Sequence, residues 1–307
     1  SGFKAVAFRI TDNAAVAVNA PTYITVRGGS NPNYASEGIR SSYETSGILP
    51  ASTELVFNEQ VAVDVSAEQG VRGVCVLNGQ AAGTSARPDD HGGLITFNSD
   101  LSVSVNSSGR NARGIALDND FLDGTHPTTP LGDPGQGANL IVKGTLSSNA
   151  VAKGNAVAID LNDKADLKAG SLNLSALSQT AGAYGINIDG SSGNVYASGS
   201  EMNIFAETQG NGEDAMAAGV AVQGGSVTLK APVVNISAKA SQEAAWSVGL
   251  ALDTGAHVSI GQEGAKVTLN SVGVDSDAIY IDDEGTVELI GSIDIPNGNL
   301  DIGYGGN

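Results

Sequence analysis

Apolar and polar residues alternate along most of the chain, in segments of four to six residues that end in Gly, Asp, Asn or Ser. Such alternation places every second side chain on one face of a β-strand, and the residues that end each segment favour turns. The clearest stretch begins at Gly219, where GVAV, SVTLKA and VVNISAKA follow one another. Helical spacing is missing from nearly all of the chain, so we expect at most a turn near residues 215–218 and 242–246.

A phrase made of one small residue and alternating apolar positions recurs along the chain, and each period contains three short strands. A repeated unit that cannot bury its own apolar face must stack on its neighbours, which is typical of solenoids. We call the small residue the anchor and expect it at a corner between two strands, where a side chain has no room. Clear anchors, 29 to 42 residues apart, are Gly73, Gly114, Ala156, Gly185, Gly219, Gly249 and Ala278, with weaker copies at Gly38 and Ala5.

These nine anchors predict an all-β chain, with residues 1–307 forming a single solenoid of about nine coils. The predicted architecture is a right-handed parallel β-helix with three-strand rungs. Right-handed coiling is favoured because the three strands are unequal and the rung holds about 30 residues, whereas left-handed coils follow a strict hexapeptide repeat.

Two periods are longer than the others, which predicts inserted loops near residues 79–93 and 118–139. Loops that project from a rigid scaffold often carry binding or catalytic residues. A longer surface loop also costs little free energy, so the insertions are equally consistent with tolerated decoration.

The chain is strongly acidic, with 33 Asp and Glu residues against 15 Lys and Arg and a formal net charge of −18. Nucleic acids and anionic lipid surfaces are therefore poor partners, because both require a basic surface. The charge favours solubility. Cys75 is the chain's one cysteine, so no disulfide can form within the chain, and its flanking valines predict a buried thiol.

Catalytic signatures are scarce: the sequence contains no H-E-x-x-H, C-x-x-C or G-x-S-x-G motif. We therefore predict no catalytic residues, no metal site and no cofactor, and the sequence does not assign binding residues. An acidic ladder is expected four residues after successive anchors. It would serve either as turn chemistry, or as a cation-binding edge or an acidic cleft like those of β-helical polysaccharide hydrolases and lyases. Its predicted members are Asp118, Asp160, Asp189, Gln223, Asp253 and Asp282.

Two further groups of residues are candidates for carbohydrate chemistry. The inserted loops contain acidic, basic and imidazole groups that an enzyme could use: Arg87, Asp89, Asp90, His91, Asp118, Asp120, Asp123 and His126. Four aromatic residues could stack on sugars or could be ordinary packing, and two of them, Trp246 and Tyr184, are expected at comparable places before their anchors. The other two are Tyr196 and Tyr280.

The phrases AGVAVQGGSVTLKA, VGLALDTGAHVSIG and AIYIDDEGTVELIG resemble the passenger repeats of bacterial autotransporters of the pertactin-like and self-associating adhesin group. The resemblance covers most of the chain, from about Gly73 onward. It implies a secreted right-handed β-helix that a C-terminal translocator barrel displays at the outer membrane, often for adhesion or aggregation. This sequence has no such barrel and stops within the repeat pattern, so we expect the chain to be an excised passenger fragment.

Together these features predict a non-catalytic adhesin or interaction scaffold at the bacterial cell surface or outside the cell. Its expected partners are a host or bacterial surface glycan, a surface protein, or a second copy of the chain. The alternative is a β-helical carbohydrate-active enzyme, a polysaccharide lyase or hydrolase, that uses the acidic residues of the inserted loops.

Overall fold

The computed structural model describes residues 5–11, 14–31, 35–42, 53–77, 93–118, 138–162, 165–190, 193–212, 214–253, 255–282 and 284–302. These residues are built from strands and turns and contain no helix. None of them therefore belongs to a helix long and apolar enough to cross a bilayer. The stretch near residues 242–246 is a turn that leads into a strand, as predicted. Residues 216–218 lie within a strand, so the expectation of at most a turn there is wrong.

The strands are numbered in chain order. They are β1 (Val6–Thr11), β2 (Ala15–Val18), β3 (Thr22–Arg27), β4 (Ser36–Ser42), β5 (Glu54–Phe57), β6 (Val61–Ala67), β7 (Val71–Leu77), β8 (Leu94–Phe97), β9 (Leu101–Ser107), β10 (Ala112–Asp118), β11 (Asn139–Ala152), β12 (Ala156–Asn162), β13 (Asp166–Ser178), β14 (Ala183–Asp189), β15 (Asn194–Ser198), β16 (Glu201–Thr208), β17 (Met216–Gln223), β18 (Ser226–Lys230), β19 (Val233–Ala240), β20 (Trp246–Asp253), β21 (His257–Val272), β22 (Asp275–Ile281), β23 (Thr286–Asn297) and β24 (Asn299–Ile302).

All pairings between these strands are parallel, and they join each strand to its counterpart in the next repeat. One sheet, here called the anchor sheet, has the order β1-β4-β7-β10-β12-β14-β17-β20-β22-β24. The other strands form a second, bent sheet. Its long strands turn a corner: the start of β11 pairs with β8, and the rest of β11 pairs with β9. The chain is thus an all-β protein of the β-solenoid class.

The anchors lie within strands of the anchor sheet, so the predicted position at a corner between two strands is wrong. The observed strand pairing also shows that two of the predicted anchors are wrong by two residues. Gly114 is level with Ala158, not with Ala156, because Arg113 pairs with Val157 and Ile115 with Ile159. In the same way Ala7, not Ala5, is level with Gly38. The phrase of apolar residues is so regular that a shift of two residues leaves its pattern almost unchanged.

The anchor position is confined to small residues because the anchor sheet packs closely on the bent sheet. A Cβ atom at Gly219 would lie 2.7 Å from the carbonyl oxygen of Gly249 on the next strand and still closer to Cγ2 of Ile236. At Gly73 it would lie 2.6 Å from the carbonyl oxygen of Gly114. Four successive residues are buried around Gly219 on β17 and around Gly249 on β20, so the strict alternation of buried and exposed positions shifts in these two strands.

The core is a narrow column of aliphatic side chains between the two sheets. Stacked coils bring like side chains together. Phe57 and Phe97 are parallel, with ring centroids 5.0 Å apart. Just beyond them, Asn98 Nδ2 donates to Asn58 Oδ1 at 2.6 Å, and Asn58 donates in turn to Asn19. These ladders satisfy polar groups beside the core and hold neighbouring coils in register.

Replacing Gly219 by valine tests the close approach of the two sheets. The new side chain would overlap a backbone carbonyl that is fixed by strand pairing, so we expect unfolding to become easier by about 3 kcal/mol. Gly212→Val is the matched control, because a Cβ at Gly212 would meet no atom within 4 Å. Urea denaturation followed by circular dichroism measures both. Equal stability of the two variants would contradict this packing.

Candidate functional site

Three rows of side chains run along the outer face of the anchor sheet, because its strands pair in register. The rows are defined by their distance from the anchor: one residue before it, two residues after it and four residues after it. We call them the first, second and third rows. The third row has the register of the expected ladder, for Asp189 is level with Gln223, and Gln223 is level with Asp253.

Asp160 does not belong to this ladder, and its assignment there is wrong. Asp160 pairs with Ala116 and Asn187, which places it in the second row. Asn162 takes the place in the third row, level with Asp189. The error follows from the displaced anchor, since Ala158 and not Ala156 is the residue level with the glycines.

A groove of about 440 Å³ lies on this outer face. It is bordered by side chains from β10, β12, β14, β17, β20 and β22, which at about 4.8 Å between strands is a length of roughly 24 Å. Its floor is formed by Ala221 and Ala251, which occupy second-row positions where neighbouring strands have Asn187 and Tyr280. The hollow exists because two adjacent strands carry methyl groups where the strands on either side of them carry larger side chains.

Three of the four candidate aromatic residues line the groove: Trp246, Tyr280 and Tyr184. Trp246 and Tyr280 meet edge to face, with ring centroids 5.0 Å apart, and Trp246 Nε1 donates to Asp277 Oδ2 at 3.0 Å. The expectation that Trp246 and Tyr184 occupy comparable places is wrong, because Trp246 pairs with Met216 whereas Tyr184 pairs with Ala218.

Tyr196 lies elsewhere, on β15 of the bent sheet, and its side chain is 40% exposed. It pairs with Lys168 and Thr228 and does not contribute to the groove.

A buried ion pair closes one end of the groove. Arg113 Nε lies 2.8 Å from Asp160 Oδ2, and Asn187 Nδ2 donates to Asp160 Oδ1 at 2.8 Å. Asp160 is 5% exposed, so its charge is stabilised by these two partners rather than by water. Burial raises the pKa of the nearby Tyr184 hydroxyl above its usual value, and the charge of Asp160 raises it further.

The third row gives the groove an acidic edge. Gln223 Nε2 donates to Asp253 Oδ2 at 2.9 Å, and Tyr280 Oη lies 3.5 Å from Asp282 Oδ2. Loss of hydration raises the pKa of Tyr280, and the carboxylate of Asp282 adds to the shift. The ladder positions Asp189, Gln223, Asp253 and Asp282 therefore form part of the wall of a groove.

Side-chain amides at the opposite edge are oriented by the backbone. Asn111 Oδ1 accepts a hydrogen bond from the backbone N–H of Asn155, and Asn155 Oδ1 accepts one from the backbone N–H of Gly182, both at 2.9 Å. Each bond fixes the carbonyl end of an amide at the turn that leads into the anchor sheet. Both residues border the groove.

Sequence reasoning missed a cluster of charges at the other end of the anchor sheet. Glu37, whose side chain is fully buried, pairs with Arg40 and Arg72 at 3.1 Å each. A signal for this cluster was present: Glu37, Arg72 and Arg113 each directly precede an anchor glycine. Arginine therefore dominates the early strands of the outer face, and carboxylates dominate the later ones.

Most of the other candidate residues lie outside the described part of the chain. The carbohydrate-enzyme candidates Arg87, Asp89, Asp90, His91, Asp120, Asp123 and His126 lie outside the described residues, as do most of loops 79–93 and 118–139. His257 begins β21, and its Nδ1 lies 2.7 Å from Thr286 Oγ1. Cys75 is buried, as predicted, beside Ala116. In the described part of the chain, no three His, Cys, Asp or Glu side chains are grouped to hold a metal ion.

Comparisons with models of known protein families, with curated proteins and with solved structures found no match to this chain.

The raised pKa of Tyr184 gives a pH-dependent prediction. The unfolded chain loses this proton near pH 10, before the folded chain does, so the stability that the neutral hydroxyl contributes is intact below that pH. It is lost as the pH rises from about 10 through the raised pKa of the folded state. We expect Tyr184→Phe to reduce this alkaline loss, measured by urea denaturation across the pH series.

The variant Asp160→Asn separates the two causes of the shift. It removes the negative charge but keeps Tyr184 buried, so tyrosinate absorbance should show the pKa of Tyr184 falling part of the way toward its ordinary value. An unchanged titration in this variant would show that Asp160 has no influence on the hydroxyl.

Proposed function

We propose that this protein is a non-catalytic adhesin-type scaffold that acts outside the cell or at the bacterial surface, and that the groove on the anchor sheet is its ligand site. The observation that carries the proposal is the groove itself, an elongated hollow with aromatic side chains and oriented polar groups on a rigid parallel sheet. Such hollows, mostly preformed and with a few placed polar groups, are typical ligand sites. A cell-surface glycan is the partner that this chemistry favours.

The finer architecture belongs to the same proposal. We propose a right-handed parallel β-helix of about nine coils, with three strands in each coil and residues 1–307 in one solenoid. It is supported by the pairing of β11, whose first part continues β8 and whose second part continues β9, while β10 and β12 pair within the anchor sheet. The resemblance to autotransporter passengers adds display at the outer membrane through a C-terminal translocator barrel.

The contacts in the groove favour binding over catalysis. Asp160 is already engaged by Arg113 and Asn187, and Asp253 accepts a hydrogen bond from Gln223. These contacts hold the carboxylates as structural acceptors. The alternative of a lyase or hydrolase depends on residues of the inserted loops and stays a prediction.

Attachment of protein-coated beads tests the proposed function. Beads carrying the chain should attach to epithelial or bacterial cells, and Trp246→Ala should reduce attachment severalfold because the ring forms one wall of the groove. The matched control is Tyr196→Ala, which removes an exposed aromatic ring from the bent sheet and should leave attachment unchanged. Circular dichroism establishes that both variants fold.

Three outcomes would contradict the proposal or redirect it. Equal attachment by both variants would remove the groove from the function. Clumping of the beads in the absence of cells, lost with Trp246→Ala, would identify a second copy as the partner. Robust cleavage of polygalacturonate that is abolished by Asp90→Asn would replace the scaffold with an enzyme.

A further inference from the structure

We infer that the groove on the anchor sheet binds a neutral, extended oligosaccharide, and that it rejects acidic glycans. This inference rests on the proposed function and adds the class of ligand. Three properties of the groove carry it: its hydrogen-bonding groups, its charge and the spacing of its aromatic side chains.

The polar groups of the groove match hydroxyl groups, which both donate and accept hydrogen bonds. Backbone N–H groups hold Oδ1 of Asn111 and Asn155, and among the described hydrogen bonds neither Nδ2 group is engaged. These two amides therefore present oriented donors. Across the groove lie the carboxylates of Asp189, Asp253 and Asp282, and each carboxylate accepts several hydrogen bonds at once. A ligand that spans both edges needs groups that accept at one side and donate at the other, as sugar hydroxyls do.

The charge of the groove excludes acidic glycans. Among the described residues that border it, Arg113 is the one basic side chain, and it is held by the buried Asp160. The third row carries the carboxylates of Asp189, Asp253 and Asp282. The uronate groups of an acidic polymer would face these carboxylates and be repelled. A cationic chain would pair with the carboxylates. Its ammonium groups would, however, face the N–H groups of Asn111 and Asn155, and two donors cannot bond to each other. A neutral polyol meets neither obstacle.

The aromatic side chains offer two separated apolar contacts. Trp246 is fixed by Tyr280 and by its hydrogen bond to Asp277, so its ring is preorganised. Tyr184 lies on β14, two strands before Trp246 on β20, which is about 10 Å along the solenoid. A single sugar ring cannot reach both contacts, so affinity should increase with the length of the oligosaccharide.

Trp246 also provides the measurement, because it is the chain's one tryptophan and it borders the groove. Its fluorescence is followed while the folded chain is titrated with neutral hexasaccharides of glucose, mannose, galactose and N-acetylglucosamine, with hexagalacturonate, and with hexalysine. At least one neutral hexasaccharide should change the emission, and the monosaccharide should bind more weakly. Its affinity should vary less than about twofold between about 0.1 M and 1 M NaCl, since no ligand charge is screened.

Variants at the floor and at the edge locate the binding. Ala251→Ile fills the hollow on the outer face, where a β-branched residue suits a strand, and should weaken binding at least about tenfold without loss of thermal stability. Asp253→Asn keeps an acceptor oxygen and should change affinity less than about threefold. Tyr196→Ala, away from the groove, should leave it unchanged.

The inference is overturned if no neutral hexasaccharide changes the emission, or if hexagalacturonate or hexalysine binds more tightly than all of them. Salt-sensitive binding of hexalysine that is lost with Asp253→Asn would assign a cationic ligand instead. The bead experiment tests the proposed function separately. If the beads attach through the groove but no neutral hexasaccharide changes the emission, only the ligand class is overturned. If the beads attach equally well without an intact groove but a neutral hexasaccharide binds tightly, the ligand class is supported and the proposed function is overturned.

Discussion

Parallel, in-register pairing between successive repeats is the interaction on which every other feature of this protein depends. It gives the backbone N–H and C=O groups of each strand partners on the strands before and after it. It also places each side chain beside the residue at the same position in the neighbouring repeats. Rows of like residues therefore form wherever successive repeats carry the same residue at one position. Examples are the stacked Phe57 and Phe97 rings and the asparagine ladder at Asn58 and Asn98.

The same constraint explains why the groove is where it is. The surface along a row of equivalent positions is flat as long as the side chains of that row are of similar size. Alanine at Ala221 and Ala251 interrupts the second row over two strands and leaves a hollow between larger neighbours. Since those positions face away from the core, the interruption costs no core packing, and a site can be formed there without weakening the fold.

The outer face of the anchor sheet is also divided by charge. Early strands carry Arg40, Arg72 and Arg113 around Glu37 and Asp160, and later strands carry the carboxylates of the groove. The buried members of the first group are paired, because an isolated charge in that position would lack both water and a partner. The carboxylates of the later strands therefore give the groove a negative charge, which disfavours acidic ligands.

The sequence by itself determined the all-β solenoid, the turn near residues 242–246 and the buried Cys75, because these follow from alternation and turn residues that act locally. It also determined the register of most of the third row, from Asp189 to Asp282. Only the tertiary structure decided that Ala158 is an anchor, that Asp160 belongs beside Asn187 and Arg113, and that Trp246, Tyr280 and Tyr184 border one groove. The physical reason is that a shift of two residues preserves the pattern of alternation. Which residues stand opposite one another is therefore fixed only by pairing with the strands on either side.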